Sequence, residues 1–457
     1  MLTSMIWHQR FFWLFLALLP TQLGLHFWPE WAGVLGRRVD YLAPTLFLTD
    51  LLVFLTIGFW LVAVLSQWAQ GNPKSQIPMT KQIPRFKIPK FQTKYLWLVV
   101  ALVFVGINIF IAPNRYVAMY KWFKIGEFGL LGWYIVRTKP KLSFIITPLA
   151  VGVLYSSILA ITQFFLQHSV GGLLWWLGER TFGVDTPGVA RIALNWSPAS
   201  PAGGLGFGHW DFGLKLRPYA TFPHPNVLGG FLAAVLPLLL MSLLRPMGPM
   251  SQMKKRMYVI ALVAGVIALL LTFSRSAIIV GAVAIAIAIA RMRNYELRIR
   301  RNARYIFFIV FSMIIIFLAS YFMLHNSSEE SVVVRGQLNT AAIKLWQSSP
   351  LFGVGLGNFL VRLPEALPVR TIYFLQPVHN IYLLVLSEIG IVGVGLIVLW
   401  IASQSQKWRV SLHFSLFTLL LLGLVDHYPL TLQQGQLLLT VLVGMSIVVL
   451  QSNKVTK

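Results

Sequence analysis

One histidine stands where a long polar stretch meets an apolar run, a position in which an imidazole could move a proton. His379 follows Pro377 and directly precedes the apolar run that begins at Asn380. At a helix start the partial positive charge of the backbone disfavours the imidazolium, so this side chain could act as a general base near neutral pH. The alternative is a histidine that anchors the headgroup region of a membrane. Asn380 could cap the helix that follows.

An arginine interrupts what would otherwise be one apolar stretch from Met257 to Ala290. Arg275 lies in the short polar break at 272–276. A charge at the end of an apolar helix is costly unless it is paired, and the planar guanidinium suits phosphate oxygens. Arg275 is therefore a candidate phosphate ligand. The alternative is a snorkelling residue at a hairpin turn.

A second arginine, Arg335, opens an amphipathic pattern that predicts a helix. The apolar residues that recur at helical spacing are Leu338, Ala341, Ala342, Leu345 and Trp346. We expect Arg335 near the first turn of this helix, where an anion would meet both a guanidinium and free backbone N–H groups. The helix should end before Pro350. Three glycines at every second position from Gly353 then allow a tight turn and close backbone approach.

Polar residues also gather before the apolar run that begins at Pro225. Arg217, His224 and Asn226 lie in a Pro- and Gly-containing sequence that would shape a fixed turn. Arg217 is a further candidate phosphate ligand, although a purely structural role for this segment fits the sequence equally well. The later pair Asp426 and His427 is expected to line a cavity rather than to carry catalysis.

Glu388 lies nine residues beyond His379, about two and a half helical turns deeper. A carboxylate in contact with lipid is expensive, so Glu388 should face the helix bundle, where it pairs with an arginine or holds helices together. No His-x-x-x-His pattern or carboxylate cluster in the sequence indicates a metal. We therefore predict no divalent ion.

The composition is that of a polytopic membrane protein. Of the 457 residues 57% are apolar and 11% are charged, and the mean hydropathy is +0.72; a soluble domain carries roughly 25% charged residues. The net charge of +25 comes from basic residues in short loops rather than on one soluble face, which excludes a nucleic-acid-binding protein. The absence of cysteine excludes disulfides, thiol nucleophiles and thiolate metal sites.

Charge predicts the orientation of about twelve transmembrane helices in an all-α integral membrane fold. With both termini in the cytoplasm, the short inner segments hold 24 of the 38 Lys and Arg residues, as the positive-inside rule expects. The basic linker 67–94 then contacts anionic lipid. Two long segments, 167–224 and 325–379, fall on the outer face, the second with the amphipathic helix. The expected apolar runs are 11–28, 42–66, 95–112, 117–136, 142–166, 225–244, 257–273, 276–290, 305–324, 380–400, 411–426 and 435–451.

Four motifs, in this order, resemble the O-antigen ligase and O-antigen polymerase superfamily of bacterial envelope glycosyltransferases. The resemblance covers roughly residues 217–435, between an N-terminal helical part (1–216) and a last helix with a basic tail (436–457). The motifs are Phe222-Pro223-His224-Pro225-Asn226-x-Leu228-Gly229, Leu271-Thr272-Phe273-Ser274-Arg275-Ser276, Arg335 with its helix and the glycines up to Phe359, and His379-Asn380-x-Tyr382-Leu383 with Glu388-x-Gly390.

The resemblance implies a glycosyltransferase of the bacterial cytoplasmic (inner) membrane. With the prediction of no divalent ion made above, we expect it to be metal-independent and to need no cofactor. Its donor would be an oligosaccharide on undecaprenyl pyrophosphate, and its acceptor a hydroxyl of a lipid, a glycan or a protein. Carried onto this sequence, Arg275 and Arg335 hold the pyrophosphate and His379 activates the hydroxyl, with inversion at the anomeric carbon. Supporting positions are His224, Asn226, Asn380, Tyr382 and Glu388.

Two other functions remain open at this point. A transporter or flippase of lipid-linked glycans usually shows internal repeats and polar groups near the midplane, whereas this sequence shows no convincing repeat. A non-catalytic partner in envelope assembly is the third possibility. The long linker 67–94 and the Trp-rich first outer loop depart from better-known ligases, so ligase, polymerase and protein-directed transferase stay unresolved.

Overall fold

The computed structural model describes residues 6–69, 93–196, 210–244, 250–293, 329–367, 375–404 and 413–452. Most of the basic linker 67–94, the apolar run at 305–324, parts of both long loops and the basic tail lie outside these ranges. The predictions for those segments stay predictions.

The described chain is mostly helical. The helices are α1 (Trp7–Ala17), α2 (Leu48–Ala69), α3 (Thr93–Ile111), α4 (Arg115–Thr138), α5 (Leu142–Leu166), α6 (Pro225–Leu244), α7 (Gln252–Leu271), α8 (Arg275–Arg293), α9 (Glu329–Ser348), α10 (Phe359–Ala366), α11 (Ile381–Gln404), α12 (His413–Leu422), α13 (Tyr428–Thr431) and α14 (Gln433–Ser452). Short 3-10 helices lie at Glu30–Ala32 and Gly172–Leu177.

Small antiparallel sheets, which the all-α prediction did not include, occupy two connecting segments. The strands are β1 (Gly24–His26), β2 (Gly33–Val34), β3 (Arg37–Arg38), β4 (Thr45–Phe47), β5 (Arg191–Trp196) and β6 (Trp210–Leu216). They pair as β1–β4, β2–β3 and β5–β6. Each pair of strands provides hydrogen-bond partners for the backbone N–H and C=O groups of a connection between helices.

Every predicted apolar run that falls within the described residues contains a helix, although the runs 11–28 and 42–66 also include a strand. Among the described helices, four are long and apolar enough to cross a membrane: Leu48–Ser66, Leu142–Leu166, Pro225–Leu244 and Ile381–Ser403. These helices support a multi-pass membrane protein. The twelve spans, the cytoplasmic termini and the outer position of the long loops remain predictions.

The first apolar run was predicted too long. The run extends from residue 11 to residue 28, but α1 ends at Ala17 and the chain enters strand β1 at Gly24. Pro20 explains the early end, because a proline disfavours helical backbone at the residue before it and helices usually end there or earlier.

Helix α6 lies at the centre of the bundle, and 83% of its apolar window is buried. It contacts α5, α7, α8, α12 and α14. Glycines allow the closest of these contacts: a Cβ on Gly229 would collide with Ala277, and one on Gly230 would collide with the Tyr428 side chain. The short helix α13 therefore sits directly on the N-terminal turns of α6.

A buried group of charges ties α2, α4 and α14 together. Lys124 Nζ lies 2.7 Å from both Asp50 Oδ1 and Glu127 Oε2, and all three side chains are at most 7% exposed. The Gln433 side-chain amide also donates to Asp50. Buried charges are tolerated when they are paired and hydrogen-bonded, so this group fixes how the three helices pack.

The glycine segment, residues 350–359, packs into a break in helix α11. At Gly390 the backbone has φ 63° and ψ −173°, a conformation essentially restricted to glycine. The N–H groups of Ile391 and Val392 donate to the carbonyls of Pro350 and Leu351 at 2.9 and 3.0 Å. The predicted close backbone approach of this segment is therefore present, and its partner is α11.

Asn108 of α3 holds the same segment from the other side. Its amide nitrogen donates to the carbonyls of Phe352 and Glu388, each at 3.0 Å, and its oxygen accepts from the Leu356 N–H at 2.9 Å. One buried side chain thus connects α3, the glycine segment and α11.

Replacing Gly390 by alanine should destabilise the protein by about 2–4 kcal/mol, because alanine is strained at this φ and its Cβ would collide with the Leu351 carbonyl. Gly395→Ala is the matched control, since Gly395 lies in the same helix and nothing lies within 4 Å of its Cβ position. Thermal unfolding of the purified variants in detergent provides the measurement. Equal unfolding temperatures for the two variants would contradict the role of the break.

Candidate functional site

Polar residues from three distant parts of the chain meet at one end of the helices. They come from the loop before α6, the segment before α11, and the corner between α12 and α13. We call this group the polar cluster: Arg217, His224, Asn226, His379, Asp426 and His427. The fold brings them together because the corner after α12 contacts the starts of both α11 and α6, through the Ile381 N–H to the Gly423 carbonyl and the Asn226 amide to Asp426.

Asp426 connects the parts of the polar cluster. One carboxylate oxygen accepts from the Asn226 amide at 3.2 Å, and the other accepts from the His427 backbone N–H at 2.8 Å. Asp426 is only 7% exposed. Burial disfavours its charge, but the imidazoles of His427, His379 and His224 and the amide of Asn226 outweigh burial, so the pKa of Asp426 lies below its ordinary value.

The two imidazoles nearest to this carboxylate lie against each other. The ring centroids of His379 and His427 are 5.0 Å apart, with 77° between the planes. His427 Nδ1 lies 2.6 Å from the Thr431 hydroxyl oxygen, and its ring also packs edge-on against Tyr41. His379 Nδ1 is buried and has no hydrogen-bond partner within the described structure. A ring nitrogen in this condition is suited to receive a proton from a substrate hydroxyl.

The start of α11 is fixed to the end of α12, and this fixes the position of His379. The side-chain oxygen of Asn380 accepts from the N–H groups of Tyr382 and Leu383 at 2.9 and 3.1 Å, so Asn380 caps the helix as predicted. The Ile381 N–H donates to the Gly423 carbonyl at 2.8 Å. His379 and His427 are therefore held by the same corner.

The histidines of the polar cluster are weak bases. Burial is the main cause that lowers the pKa of each, to about 4 for His224 and His427. The pKa of His379 is lowered by burial and by Arg335, while Asp426 and the Pro377 carbonyl raise it. All three rings are neutral at pH 7, as the general-base prediction requires for His379.

The charge of Arg335 acts on both imidazoles and lowers the pKa of His379 and of His427. Its predicted place in the helix was wrong. Helix α9 begins at Glu329, so Arg335 is not in the first turn and free N–H groups do not surround it. The amphipathic pattern itself is confirmed, since Leu338, Ala341 and Leu345 are buried against α10 and α11.

Arg217 and Arg275 are two neighbouring positive charges. Arg217 Nε donates to the Thr272 carbonyl and its Nη2 donates to the Asn226 oxygen, both at 2.7 Å. The pKa of Arg217 is lowered to about 10. Burial is the main cause, and the nearby charge of Arg275 contributes to the lowering. Two close positive charges are stabilised when an anion binds between them.

Arg275 is the first residue of α8, directly after the break at 272–274. The predicted break is therefore confirmed as the turn between α7 and α8. The arrangement expected for Arg335, a guanidinium beside the free N–H groups of a helix start, is found at Arg275 instead.

Two predicted supporting residues lie away from the polar cluster. The Tyr382 side chain is 46% exposed and its hydroxyl donates to the Leu420 carbonyl at 3.0 Å, which joins α11 to α12. Glu388 faces the bundle as predicted, and its carboxylate accepts from the Phe359 N–H at 3.2 Å. Both residues hold the scaffold of the site.

Asp426 and His427 are the site residues that the sequence interpretation undervalued. They were expected to line a cavity, whereas they lie at the centre of the polar cluster and in contact with His379. The available signal was a carboxylate and an imidazole at the end of an apolar run, in the compartment predicted for His379. Only the tertiary contacts of the corner between α12 and α13, with α6 and with the start of α11, show that Asp426 and His427 meet His379.

Ligand atoms of His379, Asp426 and His427 all lie within 4.8 Å of one another, a spacing at which a metal ion is conceivable. The surroundings favour anions instead. Arg335 acts on both imidazoles and Arg217 acts on His224, so the cluster already carries a positive potential. These charges weaken the attraction of a divalent cation and strengthen that of a phosphate group. The absence of a divalent ion stays a prediction.

Comparison with known protein families gives a match to part of the chain. No curated protein and no solved structure matches the chain significantly. Residues 260–398 match the family described as O-Antigen ligase, a segment that contains Arg275, Arg335 and His379. The matched segment, less than half of the chain, is similar to that family and supports the resemblance to the O-antigen ligase and polymerase superfamily that the sequence motifs indicate.

Proposed function

We propose that this protein transfers a glycan from undecaprenyl pyrophosphate to a hydroxyl acceptor at the outer face of the cytoplasmic membrane, without a metal ion. The observation that carries the proposal is the buried His379 Nδ1, which has no hydrogen-bond partner in the described structure and lies on a ring that the charge of Arg335 affects. Arg217 reaches the same polar cluster through Asn226 and Asp426. The family match supports action on glycans.

The reaction would be a direct displacement. His379 Nδ1 takes the proton of the acceptor hydroxyl, and the hydroxyl oxygen bonds to the anomeric carbon of the donor. The bond between that carbon and the pyrophosphate oxygen breaks, and the configuration inverts. The pyrophosphate leaves with the bonding electron pair, and its added negative charge is stabilised by Arg275, Arg335 and Arg217.

Asp426 would balance the charge that His379 gains. Its carboxylate already raises the pKa of His379, so it stabilises the imidazolium formed when the proton arrives. His427 packs between Tyr41 and His379 and limits the movement of the catalytic ring. His224 and Asn226 position Asp426 and Arg217 rather than touching the substrate.

The test is incubation of the purified protein with glycan-linked undecaprenyl pyrophosphate and candidate acceptors. A ladder of products would identify a polymerase, and a single mass shift would identify a ligase. The variant His379→Ala should lower the turnover number about 10²–10⁴-fold, because general-base catalysis contributes that much. His168→Ala is the control, since His168 is exposed and outside the polar cluster.

Normal transfer by His379→Ala would remove the general base from the mechanism. Counter-transport of a lipid-linked glycan by proteoliposomes, with no new glycosidic bond in any product, would favour a transporter. Unchanged transfer together with a lost protein complex would favour a non-catalytic partner.

Arginine-to-lysine variants test the pyrophosphate contacts. Arg275→Lys and Arg335→Lys should each lower kcat/KM about 10- to 100-fold, because a lysine keeps the charge but loses the planar two-point contact. Arg115→Lys is the matched control, since Arg115 is exposed at the start of α4 and its Nε donates to the Phe110 carbonyl. Full activity in both site variants would show that the pyrophosphate binds elsewhere.

The pH dependence tests the base directly. His379 must be neutral to act, and its pKa is lowered, so the acidic limb of kcat/KM should lie below pH 6.5. Asp426→Asn removes a charge that raises this pKa and should move the limb to lower pH. Arg335→Gln removes a charge that lowers it and should move the limb to higher pH.

The other groups that face His379 are His427, which is neutral, and His224, which lies behind Asp426. They contribute equally to all three proteins, as does the ionisation of the shared donor. A limb at the same pH in the wild type and both variants would contradict the assignment of His379.

A further inference from the structure

A short segment of the first long loop presents large apolar side chains to its surroundings. We call residues 172–177, the 3-10 helix of sequence Gly-Leu-Leu-Trp-Trp-Leu, the aromatic segment. Leu173, Trp175 and Trp176 are 84%, 51% and 63% exposed, whereas Leu174 packs against the core of the helix bundle. Large apolar side chains that are exposed side by side mark a binding surface, because their contact with water is unfavourable.

The backbone of this part of the loop is fixed by a buried carboxylate. Glu179, 3% exposed, accepts from the Val170 N–H with one oxygen and from the Gly171 N–H with the other, both at 2.7 Å. The Ser169 N–H donates to the Phe182 carbonyl at 2.9 Å and closes the loop. Both ends of the aromatic segment are therefore fastened, and the fold itself holds its outer side chains away from the core.

The chemistry of the aromatic segment suits a lipid surface. From Val170 to Gly178 the chain has no charged, amide or hydroxyl side chain. A glycan site needs several polar groups that bind sugar hydroxyls, whereas here only the two indole N–H groups would serve. Tryptophan is enriched where a membrane meets water, with its ring in apolar surroundings and its N–H among the headgroups.

The aromatic segment follows a helix that is long and apolar enough to cross a membrane. Helix α5 ends at Leu166, and Ile158, Phe165 and Leu166 near this end are exposed. On a membrane-spanning helix, exposed apolar side chains contact lipid. The Gln163 amide of α5 donates to the Glu179 carboxylate at 2.7 Å. This bond places the aromatic segment beside the end of α5, at the level where a bilayer around this helix would end.

The same glutamine holds the loop that carries two members of the polar cluster. Gln163 Oε1 accepts from the N–H groups of Tyr219 and Ala220 at 3.0 and 2.7 Å. These two residues stand between Arg217 and His224. Because one side chain bonds both to the carboxylate below the aromatic segment and to this loop, the depth of the segment and the depth of the loop are linked.

We propose that the aromatic segment lies in the headgroup region of the lipid bilayer, on the side of the polar cluster, and holds the loop of Arg217 and His224 at that depth. The lipid contact stands on its own, whereas its consequence for the site rests on the proposed function. A donor that is anchored in the bilayer presents its pyrophosphate at the level of the headgroups. The arginine loop must lie at the same level to meet it.

Spin labels on single cysteines test the lipid contact. The chain has no cysteine, so Leu173→Cys and Trp176→Cys each introduce one labelling site without further changes. Asp185→Cys is the matched control, since Asp185 is an exposed polar residue of the same loop. The labelled proteins are placed in vesicles of phosphatidylethanolamine and phosphatidylglycerol. Electron paramagnetic resonance then measures how well each label is reached by oxygen, which concentrates in lipid, and by a nickel chelate, which stays in water.

The labels at 173 and 176 should be reached better by oxygen than by the nickel chelate, and the label at 185 better by the nickel chelate. High nickel access at all three positions would show a loop in water. Low access to both reagents would show cover by protein, such as a second copy of the chain. Nickel access at 173 and 176 that falls only when a soluble glycan is added would show a glycan site. Each of these three results overturns the proposal.

A double substitution, Trp175→Ser with Trp176→Ser, tests the consequence for the site. In vesicles, KM for the undecaprenyl donor should rise several-fold, because the loop of Arg217 loses its anchor. In detergent, where no bilayer sets a depth, KM should stay near the wild-type value. Trp7→Ser is the control, since Trp7 is exposed and packs on α1 and α2.

The outcomes separate this proposal from the proposed function. An equal rise of KM in vesicles and in detergent, or no rise in either, would overturn the anchoring role. Lipid contact of the labels without any glycan transfer by the wild type would retain the lipid contact and reject the transferase. Transfer by a protein whose aromatic segment lies in water would retain the transferase and reject the anchor.

Discussion

A single buried carboxylate among positive and neutral groups is the interaction on which the site depends. Asp426 accepts from Asn226 and from the His427 backbone, and its charge raises the pKa of His224, His379 and His427. Without it, the loop before α6 and the corner after α12 would bring only cations and imidazoles together. A buried positive group without a counter-charge is strongly disfavoured. Asp426 therefore permits arginines to lie near a site that has no other anion among the described members of the cluster.

The scaffold around this carboxylate is held in place by hydrogen bonds and by a glycine break. The cap at Asn380 and the bond from Ile381 to Gly423 fix the start of α11. The break at Gly390 admits the glycine segment, and Asn108 and Glu388 hold that segment in place. Catalytic groups must be held within fractions of an ångström to be effective. The supporting residues of the motifs do this from below, at a distance from the imidazoles.

The sequence predicted the site best where a charge interrupts an apolar run. Arg275 and His379 stand at such points, and each lies at a helix start in the structure. Lipid exposure makes a charge at these places expensive, which is why the sequence alone carries the signal. Asn380 was predicted as a cap because capping depends on neighbours in the chain only.

What the sequence did not predict depends on contacts between distant segments. Asp426 and His427 lie at the centre of the polar cluster because Gly230 of α6 lets the short helix α13 pack directly on α6. Arg335 was assigned to a first turn because the apolar pattern begins just after it. Helix α9 starts earlier, at Glu329, in residues that do not belong to this pattern. The paired strands between α1 and α2 replaced part of a predicted helix, since Pro20 ends α1 and backbone pairing follows.

The same positive field serves binding and proton transfer in the proposed mechanism. In the free protein, Arg335 and burial keep His379 neutral but make it a weak base. A bound pyrophosphate brings negative charge next to the arginines and cancels part of their effect on the ring. The pKa of His379 then rises, so the base becomes stronger when the donor is present. When the pyrophosphate leaves, its charge increases further, which stabilises the imidazolium at the moment it forms. The arginines therefore couple donor binding to activation of the acceptor.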